Sequence, residues 1–415
     1  TTIMEVLDTT IVNVALPHMQ GNLGASVEEV AWVMTSYLVS NAIMLPITGW
    51  FSGLFGRKRF FTTCIVLFTL SSAACGAAPS LNLLVLFRIL QGFSGAALIP
   101  LSQAILMETF PPAEQGMAMA IWGIGIMVAP IMGPTVGGWI TDNYSWRWIF
   151  YINVPVGLIT VLMTSMFIFD PPYIKRRLTR IDYRGLLFLS LGVGCLQLVL
   201  DKGEREDWFS SRLIVYSSLV SIVSLVVFFL VERRTREPVV DLAILRNRTY
   251  TVGTLIMMIW GFGLYGAIVL LPLYLQHLMG YTAMQSGLAL APGGIASLMA
   301  MAIVGRLMNV VDPRIILAVG ATICSFATFF QVAHFNLDTD FSTVATARFI
   351  HGLGLGCSFV PLSAVTLGVI SREKMGMASG VFNLMRNIGG SVGIAIVTTL
   401  LSRRGQLHHH YLVSN

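Results

Sequence analysis

The chain has 415 residues, of which 55% are hydrophobic and only 11% are charged, and its mean hydropathy is +0.77. A soluble domain carries about 25% charged residues. This chain therefore has too few charges to cover a surface facing water, and a soluble globular protein is excluded. Apolar stretches of about 20 residues predict an all-α membrane protein with spanning helices rather than a porin-like barrel.

Thirteen apolar segments follow one another along the chain. They cover residues 1–17, 30–51, 60–77, 81–107, 116–140, 148–169, 186–200, 213–231, 252–275, 286–308, 315–333, 344–370 and 376–401. Because the sequence opens at Thr1, inside the first segment, we expect further residues before it. The odd number of spans predicts a fourteenth beyond residue 415, with residues 402–415 forming the start of an external loop.

Basic residues concentrate in one set of alternate loops, which holds seventeen Lys and Arg against six in the opposite set. By the positive-inside rule the first set is cytoplasmic, so the N-terminus is predicted to lie on the cytoplasmic side of the membrane. This placement explains the net charge of +6 without nucleic-acid binding. The seventeen are Arg57, Lys58, Arg59, Lys175, Arg176, Arg177, Arg180, Arg184, Arg233, Arg234, Arg236, Arg246, Arg248, Arg306, Arg314, Arg372 and Lys374.

Two halves of the chain resemble each other. The sequence RILQG at 88–92 matches RFIHG at 348–352, PLS at 100–102 matches PLS at 361–363, and GMA recurs at 116–118 and 376–378. Related halves with a site at their interface are typical of secondary transporters. We therefore predict an N-terminal six-helix bundle at 1–169, a linker with two inserted helices at 170–240, and a C-terminal bundle at 241–415 whose last helix is absent.

Ionisable side chains inside a membrane are costly and mark functional sites by default. Glu5 and Asp8 lie three residues apart, hence on one face of the first span. Arg88 lies in the fourth span at a depth from which its long side chain reaches Asp8 if the two helices are neighbours. Burial favours a protonated carboxylate and a nearby guanidinium favours an ionised one, so this group is predicted to couple protons. A static pair that only joins two helices is the alternative.

Two more arginines fall within spans. For Arg348 we expect a structural role, with hydrogen bonds to backbone carbonyls. For Arg386 the sequence leaves open whether it faces a cavity or reaches outward along the helix.

The fifth span carries a pattern of prolines and glycines. Gly133 and Gly137 are four residues apart, which favours close helix packing, while Pro130 and Pro134 bend the helix. Together with Gly138 they predict a hinge.

Polar and aromatic side chains within the spans are candidates for lining a substrate cavity, although packing is an alternative reading of each. They are Asn13, Tyr37, Asn41, Gln91, Gln103, Trp122, Tyr265, Tyr274, Asn383 and Arg386. We assign no metal site, no cofactor and no catalytic residue, because neither nucleotide-binding nor hydrolase motifs occur. An enzyme is therefore not expected.

These motifs together resemble the major facilitator superfamily. Residues 7–17 (LDTTIVNVALP) look like the first-helix motif of its drug:proton antiporters, 88–92 like its fourth-helix motif, and 129–138 (APIMGPTVGG) like its antiporter motif. Residues 146–157 (WRWIFYINVPVG) and 201–209 (DKGEREDWF) are similar to the fourteen-helix subfamily, and the whole pattern is similar to EmrB-type multidrug pumps. Gly53 departs from this pattern, because the family's cytoplasmic loop usually has Asp there.

The resemblance implies two six-helix bundles plus an inserted pair, and export of amphipathic or hydrophobic drugs driven by the proton gradient. It also implies a periplasmic adaptor of the EmrA type and a TolC-like outer-membrane channel. By position, Asp8 would be the proton-responsive carboxylate and Arg88 its partner. Two alternatives stay open at this point: a proton symporter or facilitator for a metabolite, and a receptor or scaffold without transport.

Overall fold

A computed structural model describes residues 1–170, 182–235 and 238–414, and this part of the chain is helical with no β-strand. The predicted loop residues Lys175, Arg176, Arg177, Arg180 and Arg236 lie outside it. The α-helices are α1 (Thr2–Leu23), α2 (Val27–Met44), α3 (Thr48–Phe55), α4 (Arg57–Ala77), α5 (Leu81–Gly95), α6 (Leu98–Thr109), α7 (Pro112–Asn143), α8 (Trp148–Tyr151), α9 (Asn153–Phe167), α10 (Tyr183–Lys202), α11 (Arg212–Glu232), α12 (Arg248–Leu273), α13 (Ala283–Leu307), α14 (Pro313–His334), α15 (Phe341–Gly368) and α16 (Met375–Ser414).

Within the described ranges, eleven helices are long and apolar enough to cross a membrane, or twelve when the bent helix α7 counts as one span. The predicted first span, α1, is not among them. Its 22 residues match the length of a span, but Glu5, Asp8 and Asn13 lower its hydropathy. It nevertheless packs against α2 and α7 inside the molecule.

Two predicted boundaries are wrong. The first span was expected to end at Pro17, whereas α1 continues to Leu23 and stops at Gly24, whose φ of 61° is left-handed. Pro17 lies inside the helix, and the capping box of Ser26 and Glu29 starts the next one. At the other end of the chain, residues 402–414 continue helix α16 rather than forming a loop.

The second and fourth spans are each broken into two helices. Pro46 lies in a 3₁₀ turn, Leu45–Ile47, between α2 and α3, and α5 and α6 are separated at Ala96 and Ala97. Proline withholds a backbone donor, which explains the first break. Shorter turns also flank the helices: 3₁₀ segments at Trp208–Ser210, Leu242–Arg246 and Arg372–Lys374, and a π-type turn at Tyr274–Leu278.

Helix packing follows the internal repeat. In the first half α1 packs against α7, and α5 against α2 and α4; in the second half α15 packs against α13 and α14, and α12 against α16. The repeat-related glycines make equivalent close approaches. A Cβ added at Gly92 would lie 2.4 Å from the Tyr37 carbonyl oxygen of α2, and one at Gly352 would lie 1.9 Å from the Gly293 carbonyl oxygen of α13.

The halves meet between α7 and α13, and where α16 packs against α3 and α6. The inserted helices α10 and α11 pack together, with α10 touching both α2 and α16. The domain limits at residues 169 and 240 stay predictions. We call the end of the molecule that carries Arg57, Arg248, Arg306, Arg314 and Lys374 the basic end, and the other the opposite end.

Candidate functional site

Asp8 and Arg88 form a fully buried ion pair. Arg88 Nη1 lies 2.6 Å from Asp8 Oδ2, and neither side chain is exposed to any extent. The other carboxylate oxygen, Oδ1, accepts hydrogen bonds from Gln91 Nε2 at 2.8 Å and Asn153 Nδ2 at 2.9 Å. Both carboxylate oxygens thus have charged or amide donors, as a buried charge requires.

Arg88 is held by side chains and backbone of the neighbouring helix α2 and of its own helix α5. Its Nε donates to the Val33 carbonyl of α2 at 3.1 Å, and Nη1 also donates to Gln91 Oε1 at 2.8 Å. The guanidinium carbon lies 4.2 Å from the centre of the Tyr37 ring, a cation–π distance. Nη2 has no hydrogen-bond partner in the described part of the chain. Tyr37 and Gln91, predicted to line a cavity, are therefore parts of this charge network.

Asn153 belongs to the same network and was not among the predicted site residues. It lies in the first turn of α9, where its amide joins Asp8 to Ser72 Oγ, 3.1 Å away on α4. Ser72 in turn donates to the Phe150 carbonyl at 2.8 Å. The signal was present in the sequence, since this asparagine, two residues before Pro155, begins a long apolar run, but its side chain was not predicted to be buried.

Glu5 forms a second buried site one turn away on α1. Its Oε1 accepts a hydrogen bond of 3.0 Å from Asn41 Nδ2 of α2, and Oε2 has no hydrogen-bond partner among the described residues. Arg386 of α16 is near enough for its charge to interact with that of Glu5. Arg386 is buried, so it faces the interior and does not reach outward.

Three further predicted cavity residues lie where the two halves meet. Gln103 Oε1 of α6 accepts hydrogen bonds of 2.8 Å from Ser379 Oγ and Asn383 Nδ2 of α16. Trp122 of α7 stacks on Phe359 of α15, with ring centres 5.8 Å apart. These contacts join the halves rather than lining an open space.

The remaining three candidates lie apart from one another. Asn13 is exposed and donates to the Thr9 carbonyl of its own helix. Tyr265 packs against Gly390 of α16. Tyr274, at the end of α12, donates to the Asn336 carbonyl.

Arg348 was predicted to donate hydrogen bonds to backbone carbonyls, and the predicted partner is wrong. Its contact among the described residues is with the His351 imidazole, 3.4 Å away, rather than with backbone carbonyls. Arg348 lies on α15 in the position that Arg88 occupies on α5. Among the described residues it forms no ion pair with a carboxylate, so in this part of the chain the repeat preserves the arginine and not the pair.

Helix α7 bends by 41° between its Pro112–Pro130 and Thr135–Asn143 parts. On the α1 side of this bend the glycines allow close packing. A Cβ at Gly133 would lie 2.2 Å from Thr10 Oγ1, and one at Gly137 would lie 2.6 Å from Ile11 Cγ1. Gly138 has more room, 4.0 Å from Val14 Cγ1. Whether this bend acts as a hinge stays a prediction.

At the basic end, Arg57 of α4 forms a buried ion pair with Glu108 of α6. Gly53, which departs from the family pattern, lies nearby on α3, and a Cβ there would have no heavy atom within 4 Å. The ion pair joins α4 to α6, and α3 packs against α4. These contacts do not involve a carboxylate at position 53.

This arrangement of two related helical halves around buried intramembrane charges defines a multi-pass membrane protein of the transporter class. The profile of the Major Facilitator Superfamily matches residues 1–394. The chain belongs to the major facilitator superfamily.

Individual relatives agree with this family. The multidrug export protein EmrB of Escherichia coli (strain K12) is 40% identical over 414 residues, covering 100% of this chain and 81% of that protein. The fatty acid resistance protein FarB of Neisseria gonorrhoeae is 41% identical over 413 residues, covering 98% of this chain and 80% of that protein.

Solved structures share the fold. The proton:xylose symporter XylE gives a TM-score of 0.67 at 15% identity, covering 99% of this chain and 89% of that one. The human organic anion transporter MFSD10 gives 0.66 at 15% identity, covering 96% and 92%. The family consists of transporters rather than enzymes.

Proposed function

We propose that this chain exports amphipathic or hydrophobic drugs across the inner membrane in exchange for protons, by alternating access. The observation that carries the proposal is the buried Asp8–Arg88 pair with its two amide donors, Gln91 and Asn153. Intramembrane carboxylates are costly and serve proton relays in transporters. The names of the relatives EmrB and FarB favour export of drugs or other apolar compounds over uptake of a metabolite.

The chemistry proposed for Asp8 is a reversible protonation. When Arg88, Gln91 and Asn153 hold the carboxylate, the ionised form is favoured. When water reaches the group and these donors turn away, a proton binds and neutralises it. Proton binding and release on opposite sides of the membrane then drive the transport cycle. The proton gradient is the energy source, and no cofactor is proposed.

Glu5 and Arg386 provide the candidate link between proton and substrate. They belong to different halves, so the distance between their charges changes when the halves rock about their interface. A cationic drug near Glu5 would compete with Arg386 for the carboxylate. We therefore propose this region as the drug-binding part of the cavity.

The conformation described here is closed at the basic end. A Cβ at Gly49 would lie 2.3 Å from the Met377 backbone, and one at Gly380 would lie 2.6 Å from the Leu45 carbonyl oxygen. The excess of basic residues supports a cytoplasmic location for this end and for the N-terminus. On this basis we propose that this conformation is the one in which the cytoplasmic path is shut. A periplasmic adaptor of the EmrA type and a TolC-like outer-membrane channel are proposed as partners on the opposite side.

The test is drug transport in proteoliposomes with an imposed pH gradient. We expect a fluorescent cationic drug to move against the direction of proton flow, and Asp8→Asn to abolish this movement while leaving the protein inserted and folded. Asp142→Asn is the matched control, because Asp142 is an exposed carboxylate at the end of α7. Movement of drug and proton in the same direction would identify a symporter. Drug binding without any flux would identify a receptor, and energised transport by Asp8→Asn would refute the mechanism.

A further inference from the structure

A cleft on the outside of the second half is unrelated to the central charge network. It has a volume of about 460 Å³ and lies between α12, α14 and α15 at the basic end. Its walls are mostly apolar. The lining includes Val252 and Ile256 of α12, Leu317 of α14, and Pro361 and Val365 of α15.

Two arginines lie at one end of the cleft. Arg248 is the first residue of α12 and Arg314 is the second residue of α14, and both are exposed. Neither guanidinium has an acidic partner in the part of the chain that the structure describes. The neighbouring acid, Asp312, caps α14 by accepting the Arg314 backbone N–H at 2.9 Å. The cleft thus has an unneutralised positive end and an apolar interior.

The dimensions of the cleft match one leaflet of a membrane. Its α12 wall runs from Arg248 to Ile256, which is about 12 Å of helix at 1.5 Å per residue. Half of a hydrocarbon core of about 30 Å is about 15 Å. A second apolar strip, along Ile315, Ala318 and Val319 of α14, also begins at Arg314. Arg314 therefore lies between two apolar surfaces that both extend into the membrane.

We propose that this cleft binds an anionic phospholipid from the leaflet at the basic end. The phosphate lies between Arg248 and Arg314, one acyl chain fills the cleft, and the other follows the strip on α14. Basic pockets between membrane helices recognise anionic headgroups through these interactions. A guanidinium binds phosphate through two parallel N–H donors. A zwitterionic lipid offers the same chains but a neutral headgroup, and binds more weakly.

Lipid binding to the purified full-length chain in detergent can be measured by native mass spectrometry. The probes are phosphatidylglycerol, phosphatidylcholine with the same acyl chains, lysophosphatidylglycerol, and inorganic phosphate. We expect phosphatidylglycerol to bind most tightly and its preference over phosphatidylcholine to decrease as ionic strength rises. At about 1 kcal/mol for each basic residue near the surface, Arg248→Gln with Arg314→Gln should weaken phosphatidylglycerol binding about 30-fold.

The matched control is Arg306→Gln. Arg306 is another exposed arginine at the basic end, on α13, but it does not line the cleft. It should leave lipid binding unchanged. Val252→Trp fills the cleft from its lipid-facing wall without removing a charge, and should bring the affinity for phosphatidylglycerol close to that for the lyso lipid.

The wild-type measurement alone is decisive if the double variant does not fold. Equal binding of phosphatidylglycerol and phosphatidylcholine would overturn the proposal, as would equal effects of Arg306→Gln and the double variant. Binding of inorganic phosphate as tight as that of the phospholipid would identify a site for free anions instead.

Discussion

Helix α7 approaches α1 so closely at Gly137 that a single methyl group has no room. The alanine Cβ would lie 2.6 Å from Ile11 Cγ1 and 3.2 Å from the Ile11 carbonyl oxygen. Carbon atoms pack best about 3.5–4.0 Å apart, so the two helices would have to separate by about 1 Å. Overpacking of this kind costs about 1–3 kcal/mol. Because alanine also favours a helix over glycine by about 1 kcal/mol, we expect Gly137→Ala to lower the free energy of unfolding by a net amount of up to about 2 kcal/mol and to reduce efflux.

The structure offers a matched control one residue away. A Cβ at Gly138 would lie 4.0 Å from Val14 Cγ1, which is ordinary contact. Alanine also favours a helix over glycine by about 1 kcal/mol. Gly138→Ala should therefore be neutral or slightly stabilising, although both glycines belong to the same motif.

A double variant tests whether the contact with Ile11 is the cause. Ile11→Ala alone removes a fully buried side chain and should cost about 2–5 kcal/mol. When Ile11→Ala is combined with Gly137→Ala, the methyl group added at position 137 occupies part of the space that the Ile11 side chain leaves. The double variant should then be more stable than the sum of the single effects by about 0.5–3 kcal/mol. Denaturant unfolding in detergent micelles, with efflux in proteoliposomes, measures both effects. Strict additivity, or equal behaviour of Gly137→Ala and Gly138→Ala, would refute the reasoning.

Three more predictions concern polar contacts. Asn153→Leu removes one donor to Asp8, so we expect drug-dependent proton release in detergent to be lost or moved to a different pH, with membrane insertion unchanged. Gln103→Leu removes the acceptor shared by two α16 side chains and should increase labelling by a water-soluble thiol reagent of cysteines placed at the basic end. Partial burial raises the pKa of Asp241, but the Lys374 ammonium outweighs it and holds the pKa below its ordinary value. The small stabilisation from this half-exposed pair, under about 1 kcal/mol, should be present at neutral pH and be lost as pH falls below about 4, which unfolding of Lys374→Met across pH will measure.

The spans follow from the sequence because their cause is local, and the central ion pair follows because two opposite charges lie at similar depths in two spans. Apolar runs long enough for a bilayer identify the helices, and the depths of Asp8 and Arg88 in their helices predict the contact. The predicted end of α1 at Pro17 was wrong because this proline does not terminate the helix. The helix ends at the left-handed Gly24, and the capping box at Ser26 begins the next helix.

The partners of buried polar groups were harder to predict because they come from distant parts of the chain. Asn153 donates to Asp8 across 145 positions, and Arg386 comes near Glu5 only through the packing of α16 on the first half. Such contacts depend on helix rotation, which apolar periodicity defines poorly when a helix is apolar on most faces. For this reason the sequence did not predict whether the side chain of Arg386 faces the interior or the lipid.

If the chain couples protons to drugs as proposed, the positions of the two carboxylates limit how that coupling can work. The side chains that hold Asp8 belong to α5 and α9 of the same half, so rigid rocking of one half against the other leaves the distance from Asp8 to Arg88 unchanged. A change in its protonation therefore requires water entry or a local movement, such as a change in the bend of α7 beside α1. Glu5 differs, because Arg386, the nearby positive charge, lies on α16 of the other half. In the proposed mechanism, rocking alone would alter the charge that Glu5 faces. Glu5 would then be the carboxylate that senses the conformation, and Asp8 the one whose access must be controlled within its own half.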